Sequence, residues 1–79
     1  MKILILKKEK TLFEIEGYAV FLPSEKGKFE ILNNHCSIIS MISSGIIKIY
    51  SSIDNTTIIK LKINYGFLNF KKNILTILL

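Results

Sequence analysis

The most reactive side chains of this chain lie together in residues 22–39, which hold its only proline, histidine and cysteine. In this segment His35 could serve as a general base and the neighbouring Cys36 as a nucleophile. Adjacent residues of an extended chain, however, point to opposite sides. We therefore expect no catalytic pair of cysteine and histidine.

Other kinds of reactive site have no support in the sequence. The six acidic residues are scattered, and one cysteine beside one histidine supplies too few ligands for a metal cluster. Gly27 stands alone, whereas a phosphate-binding loop needs several glycines before a helix. The sequence predicts a protein that is not an enzyme and that binds no cofactor, no metal and no small-molecule ligand.

The elements that must position residues 22–39 begin with apolar strands. Residues 3–6 form a short apolar run typical of a strand. Residues 11–22 alternate between apolar and polar side chains around Gly17, which predicts one long strand with a bulge at that glycine. Pro23 is expected to end the strand because proline has no amide hydrogen to give to a sheet.

Two polar corners follow within the same segment. Residues 24–28 predict a charged turn around Gly27, and residues 33–35 predict a second tight corner. The apolar residues 38–42 indicate an irregular segment or a short strand, with a single helical turn as the alternative.

The second half of the chain gives the clearest local pattern. Residues 46–50 and 57–63 alternate on both sides of a polar turn at 51–55, which predicts a β-hairpin. Residues 67–70 and 74–79 predict a second hairpin. The strand count is about seven to ten, without a dependable helix, which is typical of a small antiparallel sandwich or barrel.

Composition limits the chain to one domain, residues 1–79, with an apolar excess. The hydrophobic fraction is 49% and the mean hydropathy is +0.41, yet no segment is long enough to span a bilayer. We expect part of this apolar surface to lie outside the core, where it would meet a partner. The net charge of +5 comes from 11 lysines and no arginine, and lysine suits phosphate and base recognition less well than arginine does.

In order and spacing, four segments resemble the epsilon subunit of F-type ATP synthase. They are Leu22-Pro23, then Gly27-Lys28-Phe29 with Ile31-Leu32 and His35, then Gly45-Ile46-Ile47-Lys48-Ile49, and finally Tyr65-Gly66-Phe67-Leu68-Asn69-Phe70 with Asn73-Ile74-Leu75-Thr76-Ile77-Leu78. The resemblance implies an all-β fold, a two-layer antiparallel β-sandwich of about ten short strands in two five-stranded sheets.

The resemblance also implies a function and partners. Members of this family are non-catalytic subunits of the central stalk, or rotor, which touch the gamma subunit and the membrane c-ring and help to couple proton flow to ATP synthesis. The expected location is peripheral, on the cytoplasmic face of a bacterial inner membrane or the equivalent face of an organelle membrane. Full-length members carry a C-terminal helical hairpin that is not within residues 1–79, so we expect no regulation by such a hairpin.

The same resemblance suggests which residues meet the partners, and two of these residues depart from the family pattern. The expected contact residues are Lys26, Lys28, Phe29, Glu30 and His35. Glu30 replaces a glycine of the family turn, and Lys28 stands where the family often has an acid, which predicts a compensating acid on the cognate c subunit. His35 could equally cap its own loop.

One alternative belongs to a different functional class, a small basic β domain that binds single-stranded nucleic acid. Such a protein needs aromatic side chains interleaved with cations on one sheet face. Phe67 and Tyr50 with Lys48, Lys60 and Lys62 approximate that arrangement in the sequence. The resemblance argues against this alternative, and no nucleic-acid partner is expected.

Overall fold

The computed structural model describes residues 1–8, 10–51 and 57–79, which form nine strands. These are β1 (Lys2–Lys7), β2 (Lys10–Glu16), β3 (Ala19–Ser24), β4 (Gly27–Leu32), β5 (Ile38–Ile42), β6 (Gly45–Tyr50), β7 (Thr57–Ile63), β8 (Gly66–Lys71) and β9 (Ile74–Leu78). No helix capable of crossing a bilayer is found in these described ranges.

The strands form two sheets that pack against each other. The first sheet has five strands in the order β2-β1-β9-β8-β5, and the second has four described strands in the order β4-β3-β6-β7. Both sheets contribute side chains to one hydrophobic core. The predicted all-β sandwich is confirmed, although the resemblance implied five strands in each sheet.

The five-stranded sheet contains one parallel pair at its centre. β1 lies beside β9, with Ile3 aligned with Leu75 and Ile5 aligned with Ile77, whereas the other strand pairs are antiparallel. This pair corrects the expectation of a purely antiparallel sandwich. Side chains alternate in the same way in both kinds of pair, so their periodicity cannot reveal strand direction.

Gly17 marks a crossing between the sheets and not a bulge within one strand, which corrects the prediction for residues 11–22. The Gly17 amide donates to the carbonyl of Met1 at 2.9 Å, and the Tyr18 amide donates to the carbonyl of Tyr50 at 2.8 Å. The chain therefore leaves the first sheet and joins the second within two residues. A Cβ atom at Gly17 would lie 2.6 Å from Cδ1 of Ile3, so glycine permits this close approach.

Pro23 does not end its strand as predicted, since β3 continues to Ser24. Pro23 pairs with Lys28 of β4, while the register between β3 and β6 extends only to Phe21. The carbonyl of Pro23 accepts a hydrogen bond of 3.1 Å from the Ser43 amide. Proline is tolerated because β3 has no further ladder to β6 at this position.

Both predicted hairpins are present. β6 pairs with β7, and β8 pairs with β9 around Lys72 and Asn73, whose φ angles of 51° and 60° are those of a tight two-residue hairpin turn. The predicted turn at residues 51–55 lies outside the described residues after Ser51. Residues 38–42 form β5, which settles the open question in favour of a short strand.

The core consists of the inward-facing apolar side chains of both sheets. No polar side chain of the described residues is buried. The buried cluster comprises Met1, Ile3, Ile5, Val20, Leu22, Ile31, Ile42, Ile47, Ile49, Ile63, Leu68, Phe70, Leu75 and Ile77. Since packing in such a core is close to that of a crystal, the sandwich behaves as a rigid body.

The two faces of β6 give a direct test of this architecture. Ile49→Ala should lower the free energy of unfolding by about 2–5 kcal/mol, because Ile49 is fully buried and its truncation leaves a cavity. Ile46→Ala on the same strand should cost less than about 1 kcal/mol, because Ile46 is 49% exposed. Urea unfolding of both variants measures the difference, and equal losses would contradict the inward and outward directions described.

Candidate partner interface

The β3–β4 hairpin carries Lys26 at its tip. Ser24 pairs with Gly27, so Glu25 and Lys26 form a two-residue turn. The Ser24 hydroxyl donates a hydrogen bond of 2.6 Å to the carbonyl of Gly27, whose φ of 111° favours glycine. Lys26 is therefore held on a well-defined, exposed turn.

Along β4 the next three predicted contact residues alternate in direction. Phe29 is half-buried and packs against the core, whereas Lys28 and Glu30 are exposed. β4 is an edge strand of the four-stranded sheet. Phe29 therefore points toward the core side of β4, between two exposed charged neighbours.

The corner before His35 is tied to the β8–β9 turn. Asn34 has a φ of 63°, and its amide donates a hydrogen bond of 2.8 Å to Oδ1 of Asn73. Nδ2 of Asn73 donates to Oδ1 of Asn33 at 3.1 Å. We call these three residues the asparagine clamp, which fixes the corner relative to the five-stranded sheet.

The ring of His35 is half-buried within its own corner. Its Nδ1 donates a hydrogen bond of 2.7 Å to the carbonyl of Cys36, and the rings of His35 and Phe70 pack in a T-shaped arrangement with 6.1 Å between their centroids. The same nitrogen lies 3.8 Å from Sγ of Cys36. This proximity corrects the expectation that the two side chains point apart, because residues 35–37 lie between the turn at Asn33 and Asn34 and strand β5 and do not form a strand.

A cleft of about 610 Å³ runs along the open side of the sandwich, between edge strands β4 and β5. It is lined by Ser24, Glu25, Lys26, Phe29, Glu30, His35, Ile38, Ser40, Met41, Ile42, Ser43 and Tyr65. Four of the five predicted contact residues therefore meet here, and Lys28 does not. The sequence reasoning missed Ser40, Met41 and Tyr65, although a serine inside the apolar run of residues 38–42 could have marked the cleft wall.

The outer face of the five-stranded sheet bears a row of exposed apolar side chains. The strand registers align Met41 with Phe67, Phe67 with Leu78, and Leu78 with Leu6, across four strands. Met41 is 64% exposed, Phe67 53% and Leu78 49%. This row, with the neighbouring Ile39, is named the apolar band, and Met41 joins it to the cleft. The expected apolar surface outside the core is thus present.

The outer face of the four-stranded sheet is chemically different. Lys48 of β6 stands opposite Lys60 of β7, and Lys62 follows on the same face. We name these three residues the lysine face. Tyr50 lies on the same side of the sheet, but Phe67 belongs to the other sheet, so the grouping considered for a nucleic-acid site is not formed.

Comparison with known proteins identifies a family by sequence. The family model for the β-sandwich domain of the ATP synthase delta/epsilon chain matches residues 1–79. The ATP synthase epsilon chain of Campylobacter curvus (strain 525.92) is 38% identical over 56 residues. That alignment covers 71% of this chain and 42% of the Campylobacter protein, so the chain spans less than half the length of this relative.

Two solved structures share the fold. A chain in the cryo-EM structure of the Euglena gracilis mitochondrial ATP synthase, with OSCP, F1 and c-ring, has a TM-score of 0.83 at 14% identity, covering 96% of this chain and 48% of its own length. A chain in the central stalk and c-ring structure of the Tetrahymena thermophila mitochondrial ATP synthase has a TM-score of 0.78 at 15% identity. The second match covers 98% of this chain and 60% of the Tetrahymena chain.

The role of the asparagine clamp in fixing the corner before His35 can be tested by removing the side chain of Asn73. Asn73→Gly keeps a residue that tolerates the left-handed turn but loses both clamp hydrogen bonds. We expect a loss of about 0.5–1.5 kcal/mol in the free energy of unfolding and faster amide hydrogen exchange at Asn34. Lys72→Gly, at the neighbouring turn position, is the control. Equal exchange at Asn34 in both variants would contradict the clamp.

Proposed function

The chain belongs to the family of ATP synthase delta/epsilon β-sandwich domains, and from this premise we propose that it is a central-stalk subunit linking gamma to the membrane c-ring. The observation that carries the proposal is the apolar band, which a protein of this size would otherwise leave exposed to water. The proposed location is peripheral, on the cytoplasmic face of a bacterial inner membrane or the equivalent organelle face.

The apolar band is the proposed contact with gamma. Its side chains come from four adjacent strands and so form one continuous surface on a rigid sheet. Methionine and phenylalanine are enriched at protein interfaces, so Met41 and Phe67 suit a desolvated contact at the centre of one. Burial of this surface by gamma would remove the largest apolar exposures of the five-stranded sheet from water.

The hairpin turn and the cleft form the proposed contact with the c-ring. Lys26, Glu30 and His35 offer charged and hydrogen-bonding groups on a second surface, and the asparagine clamp holds the corner of His35 in place. Polar contacts of this kind set orientation and specificity more than affinity. The two surfaces meet at Met41, so the sandwich can touch both partners at once.

The proposed mechanism is mechanical. In this proposal the proton-driven ring turns the sandwich, and the sandwich turns gamma, while ATP is made in other subunits. A close-packed core resists deformation, so force applied at the β3–β4 hairpin and the cleft is transmitted to the apolar band. The sandwich therefore contributes to coupling by rigidity, and the chemistry takes place elsewhere.

The contact with gamma can be tested by reversing the polarity of one band residue in the assembled synthase. Phe67→Glu should reduce the gamma subunit recovered with a tagged chain by about tenfold or more, because a central apolar contact becomes a buried charge. Leu32→Glu is the matched control, since Leu32 is 40% exposed on the other sheet. If the Phe67→Glu variant unfolds at the normal midpoint and still recovers gamma unchanged, the proposed contact with gamma is contradicted.

The contact with the ring has its own test. Replacing Lys26 and Lys28 together by glutamate should lower recovery of the c-ring several-fold and leave gamma in place, because the charge facing the expected acid of the c subunit is reversed. The same replacement at Lys71, the last residue of β8, and Lys72, in the β8–β9 turn, makes an equal change of charge elsewhere. A cognate c subunit with a basic loop at this position, or full recovery of the ring, would count against the proposal.

A further inference from the structure

The lysine face concentrates positive charge, and the ion pairs of the described residues do not neutralise it. Lys48 and Lys60 are direct cross-strand partners, and like charges in such pairs destabilise a sheet. The described ion pairs involve Met1 and Lys2 and none of these three lysines. The described acid on this outer face is Glu30, which lies on β4, two strands away from Lys48.

Protection of a sheet edge accounts for only part of this arrangement. Lysines on an exposed edge strand discourage pairing with other chains, which suits Lys60 and Lys62 on β7. Lys48 instead lies on β6, an interior strand flanked by β3 and β7, and it is half-buried. An interior lysine opposite another lysine costs stability without protecting an edge.

An apolar recess lies beside Lys48 on the same face. Its volume is about 350 Å³, and it is lined by Phe21, Leu22, Pro23, Lys28, Ile46, Lys48 and Tyr50. The rings of Phe21 and Tyr50 pack edge to face, with centroids 5.3 Å apart. The face therefore offers cations next to a pocket for an apolar side chain.

We propose that the lysine face binds an extended, carboxylate-rich segment of a partner protein, with an apolar side chain of that segment in the recess. Lys60 and Lys62 are two residues apart on one strand, a repeat of about 7 Å, which matches alternate side chains of an extended chain. Carboxylates in that register can lie beside each lysine in turn. This site is separate from the apolar band proposed to meet gamma, and it shares only Lys28, at the recess, with the hairpin proposed to meet the ring.

The chemistry of the face favours protein carboxylates over nucleic acid. The cations are all lysines, and the planar fork of arginine, which matches phosphate, does not occur in the chain. The edge-to-face packing of Phe21 and Tyr50 uses one ring face against the edge of the other ring. Bases stack on open ring faces, which this pair offers poorly.

The test measures binding of a fluorescent peptide to the purified chain. The peptide has about 12 residues, glutamate alternating with serine and one central leucine. Binding should weaken as salt is added. Replacing Lys48 and Lys60 together by glutamine should weaken it about fivefold. The control replaces Lys71 and Lys72 by glutamine, which removes the same charge, and should change the affinity by less than about twofold.

A second measurement separates binding from structure. Lys48→Gln alone should weaken binding of the peptide. It should also raise the midpoint temperature of unfolding by about 2 °C, because it relieves repulsion from Lys60. A lysine with a purely structural role would lower the midpoint when replaced. Equal losses of affinity in the Lys48/Lys60 and Lys71/Lys72 variants would overturn the proposal. Tighter binding of oligothymidine or of phosphatidylglycerol vesicles through the same lysines would also overturn it.

Discussion

The structure depends on the packing of two sheets around one apolar layer. In a two-layer fold each strand has one face inside and one face outside, so alternate residues decide stability and recognition separately. On β6, Ile47 and Ile49 fill the core, while Lys48 and Tyr50 lie on the outer side. A continuous row of apolar residues in outward positions therefore indicates a surface that a partner covers.

Sequence patterns revealed the local elements well and the connections between sheets poorly. Alternation in β6 and β7 defines both strands, because each has a polar face to contrast with its buried face. Gly17 misled the prediction, because a glycine between two alternating runs fits a bulge and a sheet crossing equally well. The crossing is decided by hydrogen bonds to Met1 and Tyr50. Partners so distant in sequence cannot be identified from the residues around Gly17.

At the candidate site, too, the local turns could be predicted from the sequence, whereas contacts between distant segments could not. Residues 24–28 and 33–35 were predicted as two polar turns from their residue types, and the cleft does bring Lys26, Phe29, Glu30 and His35 together. Lys28 lies instead at the recess beside Pro23 and Lys48, on the outer face of the four-stranded sheet. Tyr65 could not have been found, since it lies in the loop before β8 and reaches the cleft only through the fold.

The apolar band exists only when the whole sandwich has formed. It takes Leu6 from β1 and Leu78 from β9, strands from opposite ends of the chain that pair at the centre of the sheet. A chain without this pair would leave the edges of β1 and β9 open and would divide the band in two. Because a partner on the intact band binds only the folded state, its binding energy adds to the stability of the sandwich. Exposed apolar residues are unfavourable in a small isolated domain. Once a partner covers the apolar band, the same residues add to the stability of the folded sandwich.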